Sequence, residues 1–371
     1  MTITIREVKS KKDLRTFIFL PSKLHKSEPD WIPPVYMDDK IYFNPKKNKS
    51  FSYCDTILLL AYKNKTAVGR IMGVINHRYN ELSMNNNARF IWMEGQDNEV
   101  LSALLETLEN WAKEKGAKKI VGPFGFSDKD PQGYLIEGFE HKPVIITNYN
   151  TPELITFLEE RGYSKEVDLF AYKVDVPCEI PLFYTRIQER VVRNGDFNLL
   201  EFKSRRKLKP YIRPIFGLVN ETFNEIYGFI PFEKKEMDDF ASRYLPVIDP
   251  AFVKVVMKQD EPVAFIIGMP DISEGIKKSK GYVIPFGIFK IWKSQKETKR
   301  LVLLLGAVKQ EYRGRGLDVL MGSKMIESAL EKGYDHIDSH LELEENEKVR
   351  AEMEKMGGVA YKKFRIFQKS L

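Results

Sequence analysis

The chain has 371 residues, with 59 lysines and arginines against 52 aspartates and glutamates, a formal net charge of +7. A hydrophobic share of 43%, with 12% aromatic residues, supports a sizeable core and excludes wholesale disorder. The length suits two ordinary domains or one large one. The charge excess is mild and fits an anionic small ligand as well as nucleic acid. Cys54 and Cys178 lie far apart without metal-ligand spacing, so neither a disulfide framework nor a metal site is expected. The start, MTITIREVKSKK, has no apolar segment of signal-peptide type, and runs such as Leu301–Val308 fall short of the ~18 residues that span a bilayer. A soluble, reducing, cytoplasmic protein is expected, a monomer or homodimer with no membrane partner.

Strands alternate with helices, and the order occurs twice. Ile3–Val8 alternates like a strand, and Ser10 is placed to cap a helix over about 11–26. A Pro-rich loop (DWIPP, 30–34) precedes two β-rich runs, Thr56–Tyr62 and Ala67–Ile75, which KNKT joins as a hairpin. A strand over Ala88–Met93 leads into the clearest helix, 98–115, with an apolar stripe at Leu101, Leu104, Leu105, Leu108 and Trp111. A strand at Lys119–Phe126, a long loop at 122–139, a helix over about 152–161 and a strand at Asp168–Val174 come next. Residues 177–195 read as a linker with a short helix. The scheme then repeats: strand 197–202, helix 206–226 with an early break at its prolines, paired strands 251–257 and 262–269, strand 300–308, helix 316–332, strand 335–343, helix 346–356 and strand 359–368. The expectation is an α/β (α+β, mixed-sheet) fold in two domains, 1–176 and 196–371.

The most informative stretch is LVLLLGAVKQEYRGRGLDVLMGSKMIESALEKG, 301–333. An apolar strand enters a short RGRG turn and an amphipathic helix starts at once. Gly314 and Gly316 free the backbone to turn, so that successive N–H groups face one concavity at a positive helix end, beside Arg313 and Arg315. That is an anion site suited to a phosphate or pyrophosphate; a plain tight turn and a basic nucleic-acid-contacting loop are the alternatives. G-x-G-x-x-G and G-x-x-x-x-G-K-[ST] are both missing, which disfavours a dinucleotide fold and excludes a P-loop.

The strand followed by V-x-x-x-x-R-G-x-G (Val308 to Gly316) resembles the acyl-CoA-binding core of the GNAT superfamily of N-acetyltransferases. The resemblance implies that amides of the turn, from Arg313, Gly314, Arg315 and Gly316 into Leu317 and Asp318, hold the pyrophosphate of acetyl-CoA or another acyl-CoA. It also implies that Gly306, Ala307 and Val308 hydrogen-bond the pantetheine arm. Asp318 stands where the family has a small residue, and its carboxylate is expected to point outward. Downstream, Asn346 and Gly357 keep a second family spacing, but the position of the family's tyrosine acid is Met353. The first half resembles the same fold without the cofactor site: its turn is MEGQDNEV, 93–100, with Glu94, Asp97 and Glu99, and Leu158 stands at its tyrosine position. The whole chain thus looks like a tandem acetyltransferase-fold protein with two GNAT-like domains, an arrangement shared with Fem-type aminoacyl transferases.

In DHIDSHLEL, 335–343, the ionisable His336, Asp338, His340 and Glu342 alternate with Ile337, Ser339, Leu341 and Leu343. Such a strand is either half exposed, or its ionisable face lines the acceptor cleft with Glu342 or His340 as general base. Glu342 is preferred because it lies nearer the strand's C-terminal end. The loop 122–139 and Trp31–Pro34 are candidates to close over the acceptor, and the lysine runs at 9–12, 46–49 and 277–280 read as solvated surface. The expected activity is direct acyl transfer to an amine of a small molecule or peptide. Two alternatives stand: a non-catalytic acyl-CoA-binding protein, and a Fem-like or RNA-linked aminoacyl transferase or nucleic-acid binder. No aromatic-interleaved basic patch supports nucleic acid.

Overall fold

The computed structural model describes residues 2–193, 196–224 and 226–371. In chain order its strands are β1 (Ile3–Glu7), β2 (Cys54–Lys63), β3 (Thr66–Asn76), β4 (Asn87–Gly95), β5 (Lys119–Gly122), β6 (Tyr134–Glu137), β7 (Ser164–Asp175), β8 (Asn198–Glu201), β9 (Val253–Lys258), β10 (Glu261–Pro270), β11 (Arg300–Val308), β12 (His336–Asp338), β13 (Glu342–Leu343) and β14 (Val359–Ser370). The helices are α1 (Lys11–Phe19), α2 (Pro21–Leu24), α3 (Tyr36–Tyr42), α4 (His77–Ser83), α5 (Asn98–Glu114), α6 (Pro152–Glu160), α7 (Leu182–Arg193), α8 (Arg205–Leu208), α9 (Ile212–Thr222), α10 (Lys234–Tyr244), α11 (Ser273–Lys278), α12 (Gly287–Glu297), α13 (Leu317–Glu331) and α14 (Glu347–Lys355). None of the described helices is long and apolar enough to cross a membrane.

The chain forms two compact units that do not follow a linear division at 176–196. The first gathers residues through Leu169 with Ile272–Ser294 and Lys362–Leu371, and the second holds Phe170–Asp271 and Gln295–Tyr361. Compactness follows strand pairing rather than chain order: Phe367–Ser370 of β14 pair antiparallel with β5, which draws the last ten residues into the first unit. The expected linker contains α7, which packs on α13, and its last residues, 194–195, lie outside the described residues.

In the first unit β1-β2-β3-β4-β5-β14 lie side by side, with α5 across the sheet. Asn64 and Lys65 adopt left-handed conformations and close the β2–β3 hairpin, as a two-residue turn between twisted strands requires. Asp97 caps α5 by accepting from the Val100 N–H, and Val100, Leu101, Leu104, Leu105, Leu108 and Ala112 bury its inner face. Gly69 and Gly73 let the helix approach, since an added Cβ would lie 2.4 Å from Val100 or 2.3 Å from Leu108. The helix expected over 11–26 is interrupted at Pro21, where α2 begins.

In the second unit β12-β11-β10-β9-β8 form the sheet, with α13 on β9 and β10. Val255 and Phe265 on these strands pack with Phe216 and Val219 of α9 and with Phe232. The helix expected over 206–226 divides into α8, a 3₁₀ turn at Lys209–Tyr211 and α9, with Pro210 at the break.

The strand expected over Lys119–Phe126 ends at Gly122, and Arg89, buried in β4, organises the turn beyond it. It donates to the carbonyls of Gly125 and Phe126 at 3.0 Å each and lies over the rings of Phe124 and Tyr79. Within the loop 122–139 residues 134–137 form β6. Arg89→Met should strand these buried carbonyls and lower unfolding stability by about 3 kcal/mol, read from the urea midpoint.

Candidate functional site

Strand pairing sets the site of the second unit. β11 and β12 run parallel for three pairs, Arg300 with His336 to Val302 with Asp338, and then part. Leu304 is an extra residue in β11, opposite the step from Gly268 to Ile267 in β10. Beyond it Gly306, Ala307 and Val308 pair with β10 on one side, and β12 offers no partner on the other. Gly306 is exposed and Leu303–Leu305 are half-buried, so an apolar strand edge stands open.

The chain then makes a short 3₁₀ turn at Gln310–Tyr312 and enters RGRG. Gly314 (φ +73°) and Gly316 (φ +81°) are left-handed, as expected of a sharp turn. Gly316 is the N-cap of α13, and no side chain caps that helix head. Space around Gly314 is open, while Ile187 and Val191 of α7 stand beside Gly316. Arg313, Gly314 and Arg315 are exposed, Leu317 is buried, and Arg313 Nε donates to the Val308 carbonyl at 3.2 Å. Free helix-head amides, two glycines and exposed arginines fit the diphosphate of a coenzyme, and the open β11 edge fits its amide-bearing arm.

Carboxyl groups gather near this head. Asp318, in the first turn of α13, does not point outward: it hydrogen-bonds the Glu352 carboxyl of α14. Burial, that hydrogen bond and the nearby Glu342 push Glu352 up to about 8. Burial pushes Glu342 up to about 7. Among the described residues no group of histidines, cysteines and carboxylates is arranged to hold a metal ion.

The expected strand 335–343 breaks after Asp338, so its four ionisable residues do not share one face. Asp338 is buried in an anchoring network, accepting from the Tyr361 hydroxyl at 2.8 Å with Arg300 Nη1 at 3.6 Å, while Arg300 also grips Asp271. Ser339 ends the pairing by exchanging hydrogen bonds with the backbone of Tyr172. His340 lies off the strand; burial brings it down to about 4, and its Nδ1 has no hydrogen-bond partner among the described residues. Glu342 alone of the four stands near the carboxyl pair at the α13 head. Asn346 is the N-cap residue of α14 but makes no side-chain cap bond, and Met353 is buried.

The first unit repeats the parting of strands. β4 pairs with β5 over Asn87–Arg89, then departs from register against β3 between Arg70 and Met72, with Trp92 in a left-handed conformation. Its helix head differs. Asp97 caps α5 and is held by Lys63 at 2.8 Å, with Glu99 at 3.2 Å from the same ammonium. A cavity of about 100 Å³ opens instead at the strand, lined in part by Trp31, Ile32 and Pro34 and by Pro131 and Tyr134 of the long loop. The two segments singled out by sequence therefore meet. Arg70, buried at 2% exposure, and Glu94 form its charged wall at 3.1 Å, and His25 lies 3.6 Å from the second Glu94 oxygen. Sequence reading missed Arg70, although a lone arginine within AVGRIMGVI was a visible signal that something must pair with it.

Two tandem units, each with a parted parallel pair and a following helix, match known structures along their whole length. The tandem GNAT protein from the clavulanic acid biosynthesis pathway superposes with a TM-score of 0.56 at 11% identity, covering 100% of this chain and 98% of that one. This chain carries the tandem GNAT fold. A GCN5-related N-acetyltransferase from Sphaerobacter thermophilus gives a TM-score of 0.52 at 12% identity over 99% of this chain and 95% of that one. By sequence the GNAT-fold chain is 28% identical to the bacterial ceramide synthase of Caulobacter vibrioides, over 100% of this chain and 98% of that protein. It is 27% identical to protein YghO of Escherichia coli, over 99% of this chain and 95% of that protein. No family model matches it.

Glu352 supplies a test of the carboxyl cluster. Its folded pKa lies above its unfolded one, so the native state holds a proton that the unfolded chain releases. Stability should therefore fall as pH rises from about 4.5 to about 8. Glu352→Gln should flatten that fall in chemical-denaturation midpoints across the range; an unchanged slope would place the proton elsewhere.

Proposed function

We propose that the chain is an acyl-CoA-dependent N-acyltransferase that binds its acyl donor in the second unit and transfers the acyl group directly to an amine. The reading is carried by the uncapped head of α13, entered through left-handed Gly314 and Gly316 beside the one-sided edge of β11. In it the amides around Gly314–Asp318 hold the diphosphate, and Gly306–Val308 orient the arm. The donor would supply a thioester carbonyl.

Glu342 is the base in this reading. A carboxyl raised to about 7 exists near neutrality in both proton states, which suits uptake of a proton at Oε from the acceptor ammonium. His340, brought down to about 4, is a much weaker acceptor of that proton. The relative's name bears on the acceptor: a ceramide is an amide of a long-chain amino alcohol, so an amphiphilic primary amine and a long acyl chain join the candidate substrates. The buried Met353 favours a second reading, an acyl-CoA-binding protein without turnover, because methionine cannot protonate a departing thiolate.

Two paired substitutions test the reading. Aspartate and asparagine both tolerate left-handed backbone, so Gly314→Asn should bind acetyl-CoA within about threefold of the parent, whereas Gly314→Asp should weaken binding about tenfold or more by calorimetry. Equal effects of the two would remove the diphosphate from this turn. In the presence of a long-chain amino alcohol and acyl-CoA, kcat/KM should rise with pH through about 7, and Glu342→Gln should lower kcat by about 10²-fold or more and abolish that rise. Donor binding without product from any amine would establish the second reading.

A further inference from the structure

Residues 275–296 contain no aspartate or glutamate, yet include Lys277, Lys278, Lys280, Lys290 and Lys293. Read as sequence, the first three are an ordinary solvated run. Their neighbours change that reading. Ile284 is 70% exposed, Phe286 74% and Phe289 61%, and Tyr282 and Trp292 are about half exposed. Five large apolar or aromatic side chains thus reach solvent within eleven residues, all among lysines. Scattered exposed hydrophobics are ordinary, but a concentration of this kind marks a contact surface.

The segment is firmly built. Gly281 accepts from the Tyr36 N–H at 3.2 Å, and an added Cβ there would lie 2.3 Å from the Pro34 carbonyl. The Ile288 N–H donates to Val283 at 2.7 Å, Gly287 is packed against the Tyr282 carbonyl, and Ile291 is buried beside Gly275. The Lys290 ammonium donates to the Lys278 carbonyl at 2.9 Å, so the lysines of α11 and α12 stand together. The Tyr282 ring packs with Tyr36 and Phe19, whereas Phe289 and Trp292 meet each other edge-on at 5.9 Å and remain exposed. Burial of Ile291 and Ser294 on one side and exposure of Phe289 and Trp292 on another make α12 two-faced.

We propose that this surface, Tyr282–Lys293 with the lysines of α11, docks the protein onto an anionic lipid bilayer. Isoleucine and phenylalanine side chains can enter the boundary between headgroups and acyl chains. Tryptophan and tyrosine favour that boundary because one end is apolar and the other polar. The lysine stems extend along apolar surface while their ammonium groups meet phosphate, and the excess of lysines over the flanking Glu274 and Glu297 matches an anionic leaflet. A protein partner would have to place carboxylates to suit the spacing of these lysines; a lipid surface needs no such specific fit. The inference departs from the expectation of no membrane partner and rests on this surface alone, not on the transferase reading.

The full chain mixed with vesicles of phosphatidylcholine and phosphatidylglycerol should co-sediment. It should bind phosphatidylcholine alone about tenfold more weakly, and lose binding as salt is raised. Trp292 should shift its fluorescence to the blue on anionic vesicles. Phe286→Ser combined with Phe289→Ser should lower the partition coefficient about tenfold or more, and Lys277→Glu with Lys280→Glu should do so chiefly at low salt. Phe286, Phe289 and Lys280 are exposed and Lys277 is half-buried, and unchanged thermal melts would show that both variants fold. Wild-type protein left in the supernatant would overturn the proposal, as would equal binding by the phenylalanine variant. A concentration-dependent dimer that the phenylalanine variant loses, without vesicle binding, would assign the surface to a second copy and overturn it as well.

Discussion

A strand that loses its neighbour part-way along must still satisfy its backbone N–H and C=O groups. In both units a parallel pair holds for three residues and then parts, and much of the local chemistry follows from how the freed length is used. In the first unit the freed stretch of β4 is drawn inward: Phe90 accepts from the Phe124 N–H, Trp92 takes a left-handed conformation, and Glu94 turns to Arg70. In the second, β11 runs past the end of β12 with Gly306 exposed, and among the described residues Gly306–Val308 pair with β10 alone. The same geometry yields a walled cavity in one unit and an open edge in the other.

The helix after each parted pair shows the same divergence at its head. Its first amides carry a positive field and need acceptors. Asp97 answers that need within α5 and is itself held by Lys63, so the head is occupied by its own chain. Gly316 leaves α13 without a side-chain cap. The acidic Asp318 at that head hydrogen-bonds the Glu352 carboxyl of α14. Burial and the neighbouring Asp318 raise Glu352 to about 8, so its carboxyl is mostly protonated and uncharged at neutral pH. A third carboxyl, Glu342, is itself held near its midpoint by burial.

Local patterns were legible in the sequence wherever a single element supplies its own reason. The RGRG turn, the apolar stripe of α5 and the hairpin at Asn64–Lys65 all appear where their chemistry places them. Readings that depended on tertiary partners were not legible. Alternation over 335–343 suggested one ionisable face, but the strand ends at Asp338 because Ser339 bonds Tyr172 across from it, a partner far away in sequence. The unit boundaries were hidden for the same reason, since β14 is claimed by β5 and not by chain order. Helices such as α3, α10 and α12 carry few apolar residues or mixed faces, so their periodicity is weak.

Charged residues inside apolar strands carry a constraint of their own. Arg70 and Arg89 sit inside apolar strands, and each is nearly fully buried. A guanidinium cannot lose its proton, so burial forces the fold to bring it acceptors: Glu94 and the Phe17 carbonyl for Arg70, the Gly125 and Phe126 carbonyls for Arg89. Glu94 lines the first unit's cavity and the Gly125 and Phe126 carbonyls belong to the long loop, so an arginine in an apolar run points to the part of the fold that must close around it. Lysine behaves oppositely. Its long stem lets the ammonium reach water from almost any surface, so a lysine run constrains nothing by itself, and only the apolar groups left beside it decide whether that surface meets water or something else.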